Sequence, residues 1–307
     1  MNVLGNYLAL TKPRLLPLVL FSGLPALVMA AGGWPPLELV ALILLGIALA
    51  AGAANAFNSY AEHERDARME RTKTRPLPAG RLRPAQALRF GLVLTLLGTG
   101  LLWIFATPVA ALVALAGILF YVFVYTLWLK PRTPVGVIVG GVSGAVAPLI
   151  ADAAIHGTIG APGWILFTII FVWQPPHFWS ISLYRRREYE AAGFPVLASR
   201  IGEDATRRRI VLWVAALIPF SLLPVGLSLV GPLYAVAALG LGAWFLFHAV
   251  QLARRRDDAS ARLLFRVSLF HLMGLFTAMI VDLALEGMLA EPQIRELAVL
   301  VRQLSGT

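Results

Sequence analysis

The sequence predicts an all-α integral membrane protein with nine transmembrane helices, and three observations carry that prediction. Of 307 residues, 59% are hydrophobic and only 14% are charged, a balance too apolar for a soluble domain of this length. Apolar stretches near the twenty or so residues that a helix needs to cross a bilayer recur along the whole chain. The lysines and arginines between those stretches fall almost entirely in alternate gaps.

The spans are read at about 15–33, 37–57, 88–106, 108–128, 136–154, 161–182, 210–230, 232–252 and 267–288. Their joints are short and carry Gly or Pro, as in "GGWPP", "ATPVA", "GAPG" and "VGP". The first span is long, lacks a small-residue cleavage pattern and is followed by many more, so it is not read as a signal peptide. Of the 26 bases, all but Arg295 and Arg302 lie on one side if there are nine spans. They are Lys12 and Arg14, the run from Arg65 to Arg89, Lys130 and Arg132, the run from Arg185 to Arg209, and the run from Arg254 to Arg266. The positive-inside rule then places the N-terminus in the cytoplasm and the C-terminus outside, in the cell (inner) membrane. The net charge of +10 is thereby accounted for by topology, and a nucleic-acid partner is not expected. With no cysteine, disulfides and thiolate metal sites are excluded.

Two loops on the basic side carry acids as well, and topology gives no reason for acids. In "NSYAEHERDARMERTKTRPLPAG", residues 58–80, Asn58, Glu62, Asp66 and Glu70 recur every fourth residue. Residues four apart share one helix face, so Asn58, Glu62 and Asp66 line up at the end of span 2. Like charges at that spacing repel by roughly 0.2–0.5 kcal/mol per pair on an exposed helix. One answer is a solvated face neutralised by Arg65, Arg68 and Arg71. The other is a divalent cation: Mg²⁺ takes a few carboxylate oxygens together with substrate phosphates, and Arg71, Lys73 and Arg75 suit the remaining phosphate oxygens. The second loop, "HFWSISLYRRREYEAAGFP", repeats the chemistry with Glu188 and Glu190 beside Arg185, Arg186 and Arg187, and with Tyr184 one turn before Glu188.

The first passage resembles the first Asp-rich motif of the UbiA superfamily of intramembrane prenyltransferases, and the region around Glu188 corresponds to the second. Within the superfamily, "LTKPR", "YTLWLKPRTP", "GGVSGAVAPLI", "WQPPHFW" and "EYEAAGFPVL" resemble the protohaem IX farnesyltransferases, or haem O synthases. The resemblance covers essentially the whole chain and implies one polytopic domain over 1–307, a UbiA-type bundle around a central cavity. It implies Mg²⁺ as cofactor, with Asn58, Glu62, Asp66 and Glu188 as metal ligands and, with Tyr184, as catalytic residues. Arg71, Lys73, Arg75, Lys130, Arg185, Arg186, His177 and Trp173 would bind substrates, which are farnesyl diphosphate and haem B. The product would be haem O, with haem A synthase or terminal-oxidase assembly proteins as downstream partners. The family usually has Asp where Glu62, Glu64 and Glu188 stand, and a second proline where Ala147 stands.

An intramembrane histidine faces a partner or a cavity, which leaves two readings for His177: a hydrogen-bonded packing residue or a haem-facing one. Trp173, Phe178 and Trp179 fit either a porphyrin surface or an interfacial aromatic belt. His63, His156, His248 and His271 are read as structural, and Asp282 and Glu286 as interfacial. A superfamily enzyme acting on a quinone-precursor aromatic is the alternative acceptor reading. A transporter is disfavoured because the acids cluster at one face instead of near the midplane.

Overall fold

A computed structural model gives the fold; it describes the backbone of residues 3–305 and the side chains of residues 3–285. Glu286, Arg295, Arg302 and Thr307 lie outside the described side chains. In chain order the helices are α1 Val3–Leu10, α2 Leu16–Ala30, α3 Leu37–Asp66, α4 Pro84–Phe105 and α5 Pro108–Leu119, which continues as a π-helix over Phe120–Leu129. Then follow α6 Gly136–Gly144, α7 Val146–His156, α8 Ala161–Tyr184, α9 Arg186–Ala191, α10 Leu197–Ile201, α11 Glu203–Ser221, α12 Leu223–Gly226, α13 Pro232–Arg255 and α14 Asp258–Ser305. No strand occurs among the described residues.

Helices stand at all nine expected positions, and the protein is a multi-pass membrane protein. Seven segments are long and apolar enough to cross a bilayer: α3, α4, α5 with the π-helix, α6 with α7, α11 with α12, α13, and α14 through Leu285. Helix α2 is shorter, at 15 residues. Helix α8 has 24 residues, but Gln174, Pro175, Pro176 and His177 interrupt its apolar run.

Two local features position the site, and the second was not expected. Helix α3 runs past the apolar stretch to Asp66, as the four-residue beat of Asn58, Glu62 and Asp66 requires, and carries the three on one rigid rod. The second half of span 4 is π-helical, closing with Lys130 N–H donating to the Tyr125 carbonyl at 2.8 Å, the i→i−5 pattern that is found preferentially at functional sites.

Packing explains the small residues. Helices α3 and α4 cross so closely that a Cβ on Gly98 would sit 3.0 Å from the Ala50 nitrogen and 3.2 Å from the Gly46 oxygen. Small residues at helix contacts allow this approach where no hydrophobic force acts between helices in lipid. At the end of the bundle away from Asp66, two buried carboxylates hold helix starts. Asp152 accepts from Gly160 and Gly163 N–H at the start of α8, at 2.5 and 3.2 Å. Asp282 accepts from Gly231 N–H and, at 3.1 Å, from Tyr234 N–H at the start of α13. Asp282 is therefore not interfacial as expected: it is 3% exposed and satisfies backbone donors that have no helical partner.

Gly98→Leu should destabilise the protein by about 1–3 kcal/mol, because the facing atoms are backbone and cannot turn aside. Gly100→Leu, with nothing within 4 Å of its Cβ position, should leave the unfolding temperature in detergent unchanged. Equal melting of the two variants would contradict the close α3–α4 crossing.

Candidate functional site

Asn58, Glu62 and Asp66 lie on one face of α3, as their spacing demands, and that face is turned inward: they are 1%, 5% and 4% exposed. Carboxylates so placed require compensation. It does not come from Arg65 and Arg68, the bases nearest in sequence. Lys130, presented by the end of the π-helix, puts its ammonium 2.5 and 2.7 Å from the two Glu62 oxygens. Arg75 donates to Asp66 Oδ2 at 2.8 Å. Asn58 accepts from Lys12 Nζ at 2.6 Å and donates to Thr126 Oγ1 at 3.2 Å.

Lys12 reaches this position from a strained backbone. Its φ of +53° is in the left-handed region, which costs a residue with a Cβ about 1–2 kcal/mol. The turn is held by Asn55 Nδ2 donating to the Thr11 carbonyl at 3.1 Å. Burial lowers the Lys12 ammonium to about 7; the charge of Glu62 opposes the fall, and those of Lys130 and Arg75 add to it. Burial works against Lys130 too, but Glu62, Tyr125 and Tyr121 outweigh it and hold that ammonium above its ordinary value.

The second acidic loop folds against this cluster. Glu188, on α9, takes Arg185 at 3.0 and 3.1 Å and lies 3.8 Å from Arg71. Arg71 also donates to the Tyr189 hydroxyl at 3.1 Å. Phe194 is shared, with its ring centroid 5.2 Å from Arg65 and 5.1 Å from Lys130. Beneath the cluster a largely apolar cavity of about 160 Å³ runs between α2, α3, α5 with its π-helix, α6 and α7, with Ala50, Asn55, Ile118, Tyr121 and Ile150 in its wall.

Not every expected residue joins the site. Lys73 pairs with Glu70 at 2.6 Å. Arg186 turns to Glu203 at 2.8 Å and Glu190 at 3.4 Å. The Tyr184 ring is flanked by Arg185 and Arg262. His177 shares a hydrogen bond with Ser268 Oγ at 2.7 Å and stacks on Trp173 at 4.4 Å; Trp173 Nε1 donates to the Ser268 carbonyl at 2.8 Å. Both rings thus sit in the α8–α14 contact and neither lines the cavity. Lys12, Thr126, Tyr121 and Phe194 were not anticipated as site residues. Lys12 stands in the quoted "LTKPR", but a base just before a span reads as topology.

Residues 19–274 match the UbiA prenyltransferase family. This chain belongs to that family. Its place within the family follows from relatives such as the protoheme IX farnesyltransferases of Acidiphilium cryptum, 42% identical over 287 residues (91% of this chain, 90% of the relative), and Symbiobacterium thermophilum, 43% identical (92% and 95%). The fold is that of a digeranylgeranylglyceryl phosphate synthase structure, with a TM-score of 0.77, 19% identity and coverage of 92% of this chain and 99% of that one. It is also that of a UbiA homologue from Archaeoglobus fulgidus bound to DMAPP and Mg²⁺, with a TM-score of 0.59, 13% identity and coverage of 90% and 99%. The chain is accordingly a prenyltransferase.

The donor set fits Mg²⁺ shared with a substrate, not a metal held by protein alone. Among the described residues no three His, Asp or Glu side chains converge to hold an ion, whereas Mg²⁺ needs only one or two carboxylates when phosphates and waters complete its shell. Oε1 of Glu62 is buried and held by the Lys130 ammonium at 2.5 Å without an aligned hydrogen bond, an ion-pair contact that a metal ion could take over.

The buried Glu62–Lys130 pair gives a stability test. Lys130→Met alone should destabilise by about 3–5 kcal/mol, since it strands a buried carboxylate. Adding Glu62→Gln should restore most of that, as read by thermal unfolding of the detergent-solubilised protein. A double variant as unstable as Lys130→Met would mean the two charges are not coupled.

Proposed function

We propose that the chain, as one domain over 1–307, transfers the farnesyl group of farnesyl diphosphate to a vinyl group of haem B, with addition of water, giving haem O and diphosphate. The observation that carries this is the buried cluster of Asn58, Glu62, Asp66, Lys12, Lys130 and Arg75 set directly over an apolar cavity. Diphosphate is polyanionic and its farnesyl tail is wholly apolar, so one molecule meets both halves of the site. The acceptor is taken from the named relatives.

Mg²⁺ would be held between the phosphates and one or two carboxylates drawn from Glu62, Asp66 and Glu188, with Asn58 beside them, and would neutralise phosphate oxygens as they gain charge. Lys12, Lys130, Arg75 and Arg71 offer donors to the remaining oxygens, exchanging their present partners, the Asn58 amide for Lys12 and carboxylates for the others, for phosphate. Preorganised cations of this kind favour the state in which charge has moved onto the leaving group. The farnesyl C1–O bond breaks and its electron pair leaves with diphosphate. The vinyl π electrons then form the new bond to C1, and water adds to the resulting cation and loses a proton. The cavity walls keep water from C1 until the vinyl group reaches it. The cavity's largely apolar walls suit the prenyl chain.

The purified protein with farnesyl diphosphate should convert haem B to haem O, detected by mass spectrometry, and leave 4-hydroxybenzoate untouched. Asp66→Ala and chelation by EDTA should each reduce turnover at least a hundredfold. Activity that survives both would remove the metal from the reading, and prenylated 4-hydroxybenzoate would replace the acceptor.

The protonation state of Lys12 sets a pH dependence. Its charge is present below about 7 and lost as pH rises through that value, so affinity for the diphosphate should weaken by up to tenfold per pH unit above 7. Lys12→Arg, charged throughout, should flatten the profile; parallel profiles would take Lys12 out of substrate binding.

The base-rich loops are assigned to the cytoplasm of the cell (inner) membrane, with the N-terminus inside and the C-terminus outside. A reporter inserted near Gly80 should read cytoplasmic and one fused after Thr307 external. Matching signals would overturn the nine-span count.

A further inference from the structure

A second anion-suited site lies on the α13–α14 hairpin, outside the cluster described above. The last turns of α13 and the first of α14 form a groove of about 80 Å³, lined by Phe247, His248, Gln251 and Arg255 on one side and Ser260 and Leu263 on the other. On α13, residues 247, 251 and 255 fall four apart and form one stripe facing the groove. The side chains of His248, Gln251 and Arg255 make no hydrogen bond or ion pair with another described residue; Arg255 feels the charge of nearby Asp257 without pairing with it. The neighbouring charges are occupied. Arg256 pairs with Asp204 at 3.3 Å, Arg207 is held by Asp204 and Glu203, and the Asp257 carboxylate accepts from Ser260 N–H at 2.6 Å. No acid lines the groove.

The rest of the hairpin surface indicates what kind of anion this is. Away from Arg255, the exposed residues on both helices turn apolar: Trp244 and Phe247 on α13, Leu263 and Phe270 on α14. The groove thus sits at the boundary between the basic end of the bundle and its lipid-facing surface, with donors at one end and an apolar track at the other. It shares no lining residue with the cavity under Asn58.

We propose that this groove binds the headgroup phosphate of an anionic phospholipid, with Arg255 as the charge partner, Gln251 and His248 as hydrogen-bond donors, and an acyl chain along Phe247 and Leu263. A charge-assisted bond from a guanidinium to phosphate is among the stronger polar contacts. Juxtamembrane bases attract anionic lipid in any case, so the proposal concerns a located site and not net charge.

The delipidated full-length protein is titrated with dioleoylphosphatidylglycerol or dioleoylphosphatidylcholine and followed by native mass spectrometry. One phosphatidylglycerol adduct should persist under activation that strips phosphatidylcholine, and Arg255→Ala should weaken it at least tenfold. Arg254→Ala removes the same charge one residue away, outside the groove, and should leave the adduct intact. Gln251→Leu provides a second, uncharged change and should weaken it severalfold. Equal loss in Arg254→Ala and Arg255→Ala would overturn the proposal in favour of general charge attraction. So would the absence of any preference for phosphatidylglycerol, or displacement of the adduct by millimolar inorganic phosphate, which would assign the groove to a soluble anion.

Discussion

Two carboxylates inside the bundle set the terms for everything around them. Glu62 and Asp66 sit on the inner face of α3 with almost no solvent contact, and an unpaired charge there would be too costly to keep. Three separate pieces of irregular backbone deliver the neutralising cations. A left-handed turn brings Lys12, a π-helix brings Lys130, and the returning segment after α3 brings Arg75. Each irregularity is unfavourable by itself, and each ends in a contact with the acidic face or with Asn58 beside it.

The cluster is balanced in a way that suits exchange. Its acids and bases already satisfy one another, so a ligand that supplies both metal charge and phosphate oxygens can take over each side without leaving a group stranded. The apolar cavity below gives such a ligand one direction in which to lie. Arg71, touching both Glu188 and Tyr189, ties the second loop to the first and so keeps the two acidic segments at one mouth.

Much of this was legible in the sequence, for physical reasons. Spans are written as apolar runs of bilayer length, and a four-residue beat of acids survives as a helix face whatever else the chain does. The partners of those acids were not legible. Lys12 lies 46 residues from Asn58, and Lys130 lies 68 from Glu62, so only the assembled bundle pairs them. The π-helix is hidden because "FYVFVYTLWL" is equally apolar in an α-helical register. Asp282 looked interfacial for the same reason: the backbone donor it satisfies is 51 residues earlier. The direction of His177 depended on Ser268, on a helix nearly a third of the chain away.

The two ends of the bundle are fastened by different chemistry. At one end Asp152 and Asp282, both buried, grip backbone N–H groups at helix starts, donors that no helical carbonyl would otherwise satisfy. At the other, side-chain ion pairs such as Arg186–Glu203 and Arg71–Glu188 stand a third or more exposed and can trade partners with solvent at little net cost. The molecule is thus clamped like a book at its spine. The carboxylate-pinned end is therefore the stiffer of the two, and the mouth where the charges lie is the end whose contacts can be exchanged for a substrate's.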